Sequence, residues 1–284
     1  MSRVYRCMNT KPLLIIDGNK RESNQQQAAM GGMATGEGYA AVLRRIDPAV
    51  QYTIVQPAYD DYQKPTFGPD DYRGAVITGS ALHVYDAVPE VERQLALAAE
   101  VFDCGIPVFG SCWGLQVAST VLGGRVRANP RGRELGIARG ICANQQGGEH
   151  PLLAGKGPVY DAVAIHTDEV VELPAGATLL ASNTISEVQA VVIEQGDKRF
   201  WGVQYHPEFS LFDIGTIFLR YGEGLIADGF FTSLPALESL VRDFHSLDQK
   251  PDQLALSWRY GLSASVLDFD LRTRELRNWL QALG

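Results

Sequence analysis

Short apolar runs alternate with helical segments in the first half of the chain. Apolar runs without polar interruptions are typical of strands that are buried on both faces of a parallel sheet, because neither face meets solvent. The runs lie at 13–18, 52–55, 74–80 and 106–110, and the helical segments at 39–46, 89–102 and 113–122. This alternation predicts an α/β fold, a three-layer sandwich in which a mostly parallel central sheet lies between helices.

The pattern of the chain changes in its second half. Short β-like runs over 136–204 are expected to extend or edge the sheet, and the chain becomes mainly helical after Phe209. The last helical segment, 270–283, carries an apolar stripe that is typical of a helix packed on a core. We therefore expect one α/β domain at 1–221. A helical C-terminal extension at 222–284 would pack on that domain or on a dimer partner.

The segment 19–38 shows no apolar period. It is polar and rich in Gln, Gly and Met, so we expect a long loop or an irregular first βα connection after the first strand. Such a loop would lie at the carboxyl edge of the sheet, where α/β folds bind ligands. It could cover a site or contact a partner there, although a mobile surface loop is the simpler interpretation.

Charge and composition exclude several classes of protein. The net charge of −8 argues against a protein that binds nucleic-acid backbones, since such proteins are usually basic. No apolar run approaches the roughly 20 residues that span a bilayer, and the first residues lack the apolar core of a signal peptide. The four cysteines, Cys7, Cys104, Cys112 and Cys142, form no CxxC pair, which is typical of reduced thiols. We expect a cytoplasmic protein that binds neither nucleic acid nor membrane.

The sequence Gly-Ser-Cys-Trp-Gly, centred on Cys112, lies between a predicted strand and a predicted helix. Glycines on both sides permit a sharp turn that presents the central residue on a strained elbow. A thiol at a helix N-terminus is favoured as thiolate, and the next backbone amide, that of Trp113, could stabilise an oxyanion. The segment therefore predicts a nucleophilic cysteine. A buried structural cysteine is the alternative.

A candidate base follows a later predicted strand. His206 precedes Pro207 and Glu208, and the Glu208 carboxylate could fix the tautomer of the imidazole and stabilise its protonated form. Read by itself, a His-Pro-Glu turn favours an ordinary surface loop. Together with a nucleophile elbow, it predicts a Cys-His-Glu triad that only the fold can assemble.

The segments Gly-Ser-Cys-Trp-Gly-Leu-Gln at 110–116 and Gly-Val-Gln-Tyr-His-Pro-Glu at 202–208 resemble the motifs of class I (triad-type) glutamine amidotransferases. The similarity extends from about Leu13 to Phe209. It is greatest to the glutaminase domain of GMP synthases and its stand-alone relatives. The resemblance implies the flavodoxin-like sandwich of that family.

The resemblance also implies roles for individual residues. Cys112 is expected to be the nucleophile, His206 its general acid and base, and Glu208 the partner that orients the imidazole. Gly79 matches the oxyanion strand of the family, although serine follows it here where the family has a second glycine. A backbone donor survives that change, so the amides of Gly79 and Trp113 are expected to stabilise the oxyanion.

Further residues match the substrate-binding positions of the family. Gln116 corresponds to a glutamine that helps to hold the substrate. Ile165, His166 and Thr167 begin a segment that resembles Ser-His-Gly-Asp, whose backbone receives the α-amino and α-carboxylate groups. Here Ile165 replaces a small polar residue and Thr167 replaces glycine. Backbone contacts could persist, but the polar side-chain contact at position 165 is lost.

L-Glutamine is the substrate that the resemblance implies. A thiolate would attack its side-chain amide and form a γ-glutamyl thioester, ammonia would leave, and water would complete the hydrolysis. These steps require no metal or organic cofactor. The chain has no P-loop motif, and too few residues follow Phe209 for an adenylating domain. We therefore expect a glutaminase subunit that passes ammonia to a separate synthetase chain.

Two other functions remain open. A γ-glutamyl peptidase or hydrolase would use the same triad on N-substituted γ-glutamyl amides, and the departures at Ile165 and Thr167 are compatible with it. A catalytically silent regulatory subunit would explain the C-terminal extension. The intact set of Cys112, His206 and Glu208 argues against that second alternative.

Overall fold

The computed structural model describes residues 11–284 and shows a central sheet with helices on both faces. The strands of the described residues are β1 (Leu13–Ile16), β2 (Tyr52–Val55), β3 (Gly74–Ile77), β4 (Val108–Ser111), β5 (Arg125–Ala128), β6 (Glu134–Ala143), β7 (Val159–His166), β8 (Asp168–Glu172), β9 (Ala177–Ser182), β10 (Ala190–Gln195) and β11 (Lys198–Val203). The predicted runs at 13–18, 52–55 and 74–80 each contain a strand of the structure, and the run at 106–110 overlaps β4.

The central sheet joins a parallel half to an antiparallel half. Its order within the described chain is β2-β1-β3-β4-β11-β10-β9-β6-β7, and β5 pairs with β8 in a separate two-stranded sheet. Pairing is parallel from β2 to β11 and antiparallel from β11 to β7. The short runs of the second half therefore extend the sheet, as expected, and the α/β architecture is confirmed.

Helices occupy both faces of the sheet and most of the C-terminal part of the chain. They are α1 (Arg21–Ala29), α2 (Thr35–Ile46), α3 (Pro89–Asp103), α4 (Trp113–Val121), α5 (Gln145–Glu149), α6 (Leu211–Arg220), α7 (Gly222–Ala227), α8 (Leu234–Gln249), α9 (Leu254–Tyr260), α10 (Ala264–Leu267), α11 (Phe269–Arg272) and α12 (Arg274–Ala282). A 3₁₀ turn spans Pro151–Leu153. No helix in the described part of the chain is both long and apolar enough to cross a membrane.

Strand β1 shows how the sequence builds two cores. Successive side chains of a strand point to opposite faces, so Leu13 and Ile15 join one buried cluster while Leu14 and Ile16 join the other. Helices α2 and α12 cover the first face, and α3 and α4 cover the second. An uninterrupted apolar run is therefore required, because both faces of this strand exclude water.

The C-terminal helices pack against the rest of the chain. The ring of Trp279 in α12 lies 5.7 Å from that of Phe109 in β4, measured between centroids. Gly74 makes room for α12, since a Cβ there would lie 2.8 Å from Cδ1 of Leu283. Helix α8 packs along α6 in a third buried cluster. These contacts lie within one chain; the domain boundary after residue 221 and a contact with a dimer partner stay predictions.

A buried ion pair links α12 to the end of the sheet. Nζ of Lys156 lies 3.0 Å from Oε1 of Glu275, and both side chains are at most 1% exposed. Glu275 also accepts a hydrogen bond of 2.5 Å from the hydroxyl of Tyr205, the residue before His206. Removing one member of such a pair leaves an uncompensated buried charge and costs about 3–5 kcal/mol. The C-terminal helix therefore supports the segment that carries His206.

The expectation of a long loop over 19–38 was wrong. Helix α1 occupies much of this segment, and α2 begins before the helical spacing that the sequence shows from residue 39. Arg, Glu, Gln and Ala are good helix formers, but α1 has no apolar stripe. Its buried residues are polar, Asn24 and Gln27. Hydrophobic periodicity therefore gave no sign of this helix.

Asp17, directly after β1, fastens α1 and α2 to the sheet. One carboxylate oxygen accepts hydrogen bonds from Nδ2 of Asn24 at 2.8 Å and from the amide of Gly36 at 3.1 Å. Burial raises the pKa of Asp17, and the hydrogen bonds from Asn19, Gly36 and Asn24 oppose that rise. The fold of this region thus depends on polar contacts between residues that are distant in sequence.

Candidate active site

Cys112 forms the turn between β4 and α4. Its φ of 51° makes it the single non-glycine residue with positive φ among residues 11–284. Glycine is required on both sides of Cys112 because backbone atoms lie too close for a side chain. A Cβ on Gly114 would lie 2.3 Å from the carbonyl oxygen of Ile77, and one on Gly110 would lie 2.6 Å from the carbonyl carbon of Gly114. Backbone strain at one residue, held by tight packing around it, is typical of functional positions.

The Cys112 thiol lies at the N-terminus of α4 and is 4% exposed. Its backbone amide donates to the carbonyl of Val203 at 2.8 Å, and its Sγ contacts the carbonyl oxygen of Ile165 at 3.7 Å. Positive charge near a cysteine sulfur, including that of a helix N-terminus, stabilises the thiolate. The position therefore suits a nucleophile.

Sheet topology brings His206 to the same edge as Cys112. Strands β4 and β11 are parallel neighbours, with Ser111 opposite Val203, so the residues after both strands emerge together. The His206 amide donates to the carbonyl of Val163 in β7 at 2.7 Å. Two residues that lie far apart in sequence are thereby brought together by one pair of strands.

Three neighbours fix the imidazole of His206. Nδ1 donates to Oε1 of Glu208 at 2.7 Å, and the ring stacks on Phe209 with centroids 4.2 Å apart. Gly79 borders the ring at Cε1, since a Cβ on Gly79 would lie 2.6 Å from that atom. Oε2 of Glu208 is buried and has no hydrogen-bond partner among the described residues. The structure thus brings Gly79, Cys112, His206 and Glu208 together.

The charge of His206 follows from these contacts. Burial would lower the pKa of His206, but the negative charge of Glu208 and a hydrogen bond with Cys112 outweigh burial and raise the pKa to about 10. The imidazole therefore holds its proton at neutral pH. An imidazolium beside a sulfur can support a thiolate and can donate a proton to a leaving group.

The predicted substrate-binding residues line the same cavity as Cys112. Its volume is about 280 Å³, which suits a ligand of amino-acid size, since small-molecule pockets begin at roughly 300 Å³. We call one part of its wall the sheet end, which comprises Gly79, Cys112, Gln116, Ile165, His166, Thr167 and His206. Trp113 is the predicted site residue that is not part of the lining. Its indole Nε1 donates to Gln94 at 2.7 Å, so a role for Trp113 would rest on its backbone amide, as expected.

His166 holds the 165–167 segment in place. Its Nδ1 lies 2.9 Å from the carbonyl oxygen of Asp168, and its Nε2 lies 2.8 Å from Oε2 of Glu134. Glu134 also accepts hydrogen bonds from Asn183 and Gln189. Burial acts to raise the pKa of Glu134, but these partners, His166 foremost, lower it overall. Both ring nitrogens of His166 face protein groups, so this side chain shapes the segment.

Sequence reasoning missed a second part of the cavity wall. We call it the helical end, and it comprises Gln27 of α1, Met33, Val42 of α2, and Ile217 and Arg220 of α6. Arg220 ties α6 to α1 by donating to the carbonyl of Ser23 at 3.1 Å. The one sequence signal for this wall was the position of 19–38 at the carboxyl edge of the sheet.

Three of the four cysteines lie among the described residues. Cys104, Cys112 and Cys142 are free thiols, and Cys7 lies outside the described residues. Within residues 11–284, no group of three or more His, Cys, Asp or Glu is arranged to hold a metal ion.

Comparison with protein families gives one domain-level match. The family described as "Glutamine amidotransferase class-I" matches residues 39–221. The match includes the strands β4 and β11 together with Cys112, His206 and Glu208.

The chain covers nearly all of one curated relative and about a third of another. The chain is 31% identical over 274 residues to a "Gamma-glutamyl-L-1-hydroxyisopropylamide hydrolase" from a Pseudomonas species, covering 95% of this chain and 92% of that protein. It is 32% identical over 206 residues to a glutamine-hydrolysing GMP synthase from Vibrio atlanticus. That match covers 71% of this chain, but the chain spans only 36% of that synthase.

Solved structures share the fold over nearly the whole chain. A glutamine amidotransferase from Thermotoga maritima superimposes with a TM-score of 0.67 at 18% identity, covering 96% of this chain and 98% of the other. At this level of identity, the likeness concerns the fold alone.

Proposed function

Because the chain belongs to the class I glutamine amidotransferase family, we propose that it hydrolyses γ-glutamyl amides that carry a substituent on the amide nitrogen. The family makes the chain a cysteine-dependent amidotransferase or hydrolase. Glutamine, which has no substituent, would be a poorer substrate for the same site. The products would be glutamate and an amine.

In the proposed mechanism, the Cys112 sulfur attacks the γ-carbonyl carbon and forms a C–S bond. The carbonyl electron pair moves to oxygen, where the amides of Gly79 and Trp113 donate hydrogen bonds. When the intermediate collapses, the C–N bond breaks and His206 gives its proton to the leaving nitrogen. The result is a γ-glutamyl thioester and a free amine.

Water then completes the reaction. His206, now neutral, takes a proton from a water molecule that attacks the thioester carbon. Collapse breaks the C–S bond and releases glutamate and the Cys112 sulfur, while the proton stays on His206. Glu208 keeps Nδ1 protonated and orients the ring in both steps. Gln116 and the 165–167 segment would hold the glutamyl part.

The observation that carries the proposal is the helical end of the cavity. Ammonia needs almost no space, yet the cavity that contains Cys112 and His206 is also lined by the apolar side chains of Met33, Val42 and Ile217. We expect a substituent on the leaving nitrogen to pack against these side chains. The Pseudomonas relative, which the match covers to 92% of its length, is by name a hydrolase of such an amide.

The experiment compares two substrates that differ by one ethyl group. Glutamate release from L-glutamine and from γ-glutamyl ethylamide would be measured with the purified chain, with Cys112→Ala as the control. Burial of two carbons at about 0.8 kcal/mol each predicts a kcat/KM about tenfold higher for the ethylamide. Release from glutamine without release from the ethylamide would contradict the proposal, as would release that persists in Cys112→Ala.

A second function is a glutaminase subunit that supplies ammonia to a separate synthetase. The similarity to one part of a glutamine-hydrolysing GMP synthase favours it. In that case, glutamine would be the better substrate, and its turnover would rise when the acceptor synthetase is added. A synthetase partner, a homodimer and a cytoplasmic location stay predictions from the sequence.

A further inference from the structure

Two arginines in the lining of the cavity have no carboxylate at hydrogen-bond distance within residues 11–284. They are Arg133, which precedes β6, and Arg220 of the helical end. Nη2 of Arg133 lies 3.7 Å from Oδ2 of Asp228, which is too long for a hydrogen bond. The hydrogen bonds of Arg220 within the described chain go to the carbonyl of Ser23 and the hydroxyl of Tyr221, which are both uncharged.

The Arg133 guanidinium has donors available for a ligand. Its Nε has no hydrogen-bond partner in the described part of the chain, and its terminal nitrogens approach a carboxylate no closer than 3.7 Å. The side chain is 25% exposed, so a ligand can reach it. Because a guanidinium has five N–H donors and a permanent charge, an accessible one in a cavity wall suits an anionic ligand.

Two carboxylates of the lining are already paired with histidines. Glu208 accepts a hydrogen bond from Nδ1 of His206 at 2.7 Å, and Oδ2 of Asp168 lies 2.7 Å from Nδ1 of His83. The hydroxyl of Tyr85 also donates to Asp168, at 3.1 Å. These carboxylates therefore serve the sheet side of the cavity and leave the two arginines without a counter-charge.

The third carboxylate of the lining, Asp213, is held at the start of α6. Its Oδ2 accepts hydrogen bonds from the amide and the hydroxyl of Ser210, at 2.8 Å each. Burial raises the pKa of Asp213, the hydrogen bonds from Ser210 oppose that rise, and the charged side chains that influence it most are Asp248 and Arg272. The two arginines of the cavity wall are not among them. Asp213 therefore does not neutralise these arginines either.

The two arginines are connected to consecutive helices. Arg220 is the last residue of α6, and Asp228, which lies near Arg133, directly follows α7. Ile217, one turn before Arg220, belongs to the apolar side chains of the helical end. The lining thus combines apolar contacts, which suit a short carbon link, with two cations, which suit an anion at the end of that link.

We propose that Arg133 and Arg220 bind a carboxylate on the leaving amine, so that the preferred substrates are γ-glutamyl derivatives of amino acids. A planar carboxylate matches the fork of a guanidinium. The three carboxylates of the lining repel its single charge less than they would repel a phosphate dianion. The reaction is the hydrolysis proposed above, with glutamate and an amino acid as products. This inference rests on that proposed function and adds the class of amine that the site selects.

The test compares γ-glutamylglycine with γ-glutamylglycinamide, which carries a neutral amide in place of the carboxylate. Charge-assisted hydrogen bonds predict that the wild type prefers the acid by about tenfold to hundredfold in kcat/KM. Arg133→Gln should lower this ratio at least about fivefold, and Arg133→Lys, which keeps the charge, should lower it less. Arg131→Gln, at an exposed position in the same loop, is the matched control and should keep the wild-type ratio.

Binding to proteins that also carry Cys112→Ala separates this inference from the proposed function. Calorimetry should find γ-glutamylglycine bound more tightly than the glycinamide, and Arg133→Gln should reduce the difference. If binding shows this pattern but no glutamate is released, the proposed function fails and the role of the arginines stands. If the ethylamide and the glycinamide are hydrolysed without any preference for the acid, the proposed function stands and this inference fails.

Three results would overturn the role of the arginines. The first is equal kcat/KM for the acid and the glycinamide in the wild type, which needs no variant. The second is an equal loss of turnover of both substrates in Arg133→Gln, because it would assign Arg133 to the α-carboxylate of the glutamyl part or to the fold. The third is a preference for the acid that persists unchanged in both Arg133→Gln and Arg220→Gln.

Discussion

The two ends of the cavity are built from different parts of the fold. The sheet end consists of residues that follow β3, β4 and β11 and of the end of β7, with backbone turns so tight that Gly79 and Gly114 admit no added carbon. The helical end consists of side chains on α1, α2 and α6 and of Met33 between α1 and α2. Backbone geometry fixes one end, and exchangeable side chains form the other. We therefore expect changes at the sheet end to affect every substrate and changes at the helical end to affect selectivity.

Glu208→Gln should have the largest effect, because it removes the charge that sustains the His206 imidazolium. We expect kcat/KM to fall roughly thousandfold for glutamine and for N-substituted amides alike. With only the interaction with Cys112 left to oppose burial, the pKa of His206 should drop from about 10. An NMR titration of His206 would measure it. Glu223→Gln, at an exposed position in α7, is the control.

The same change predicts a difference in pH-dependent stability. The pKa of His206 is raised above the ordinary value of about 6.5, so its stabilising contribution is complete below pH 6.5 and is lost as the pH rises through about 10. The free energy of unfolding of the wild type should fall across this alkaline range, and that of Glu208→Gln should fall less. A His206 that still titrates near pH 10 in the variant would contradict this explanation.

Gly114→Ala should come next, because the added Cβ would lie 2.3 Å from a backbone oxygen of β3. Overpacking of this kind costs about 1–3 kcal/mol, and the displaced elbow should reduce turnover of all substrates. Chemical unfolding would measure the loss. Gly148→Ala is the control, since nothing lies within 4 Å of the added carbon. Equal stabilities of the two variants would show that the elbow is not tightly packed.

Val42→Phe should have the smallest and most selective effect. The larger ring would fill the helical end, so kcat/KM for γ-glutamyl ethylamide should fall about tenfold while that for glutamine is unchanged. Ala41→Phe, at an exposed position on the same helix, should leave both unchanged. An equal fall of kcat/KM for both substrates in Val42→Phe would contradict the claim that the helical end controls selectivity alone.

The two ends also differ in how far the sequence predicts them. The elbow at Cys112 was predictable because glycines on both sides of one residue are a local signal for a tight turn. His206 was predictable as its partner because it follows a predicted strand and has a carboxylate, that of Glu208, two residues later. Their catalytic roles stay predictions that the experiments above address.

The sequence carries no comparable signal for the helical end or for the residues that hold the site in place. Helix α1 is fastened through Asp17, Asn24 and Gly36, which are polar and distant from one another in sequence. The Glu134 partner of His166 and the Glu275 partner of Tyr205 come from other elements. A single carboxylate in a strand or helix carries no local pattern that identifies its distant partner.

The most direct test of the central claim is to trap the covalent intermediate. The purified chain would be mixed with γ-glutamyl ethylamide, quenched in acid during turnover, and analysed by intact and peptide mass spectrometry. We predict the mass of one γ-glutamyl group on the peptide that contains Cys112, and none in Cys112→Ala. Glutamate release without this adduct, or an adduct on Cys104 or Cys142 instead, would contradict the account.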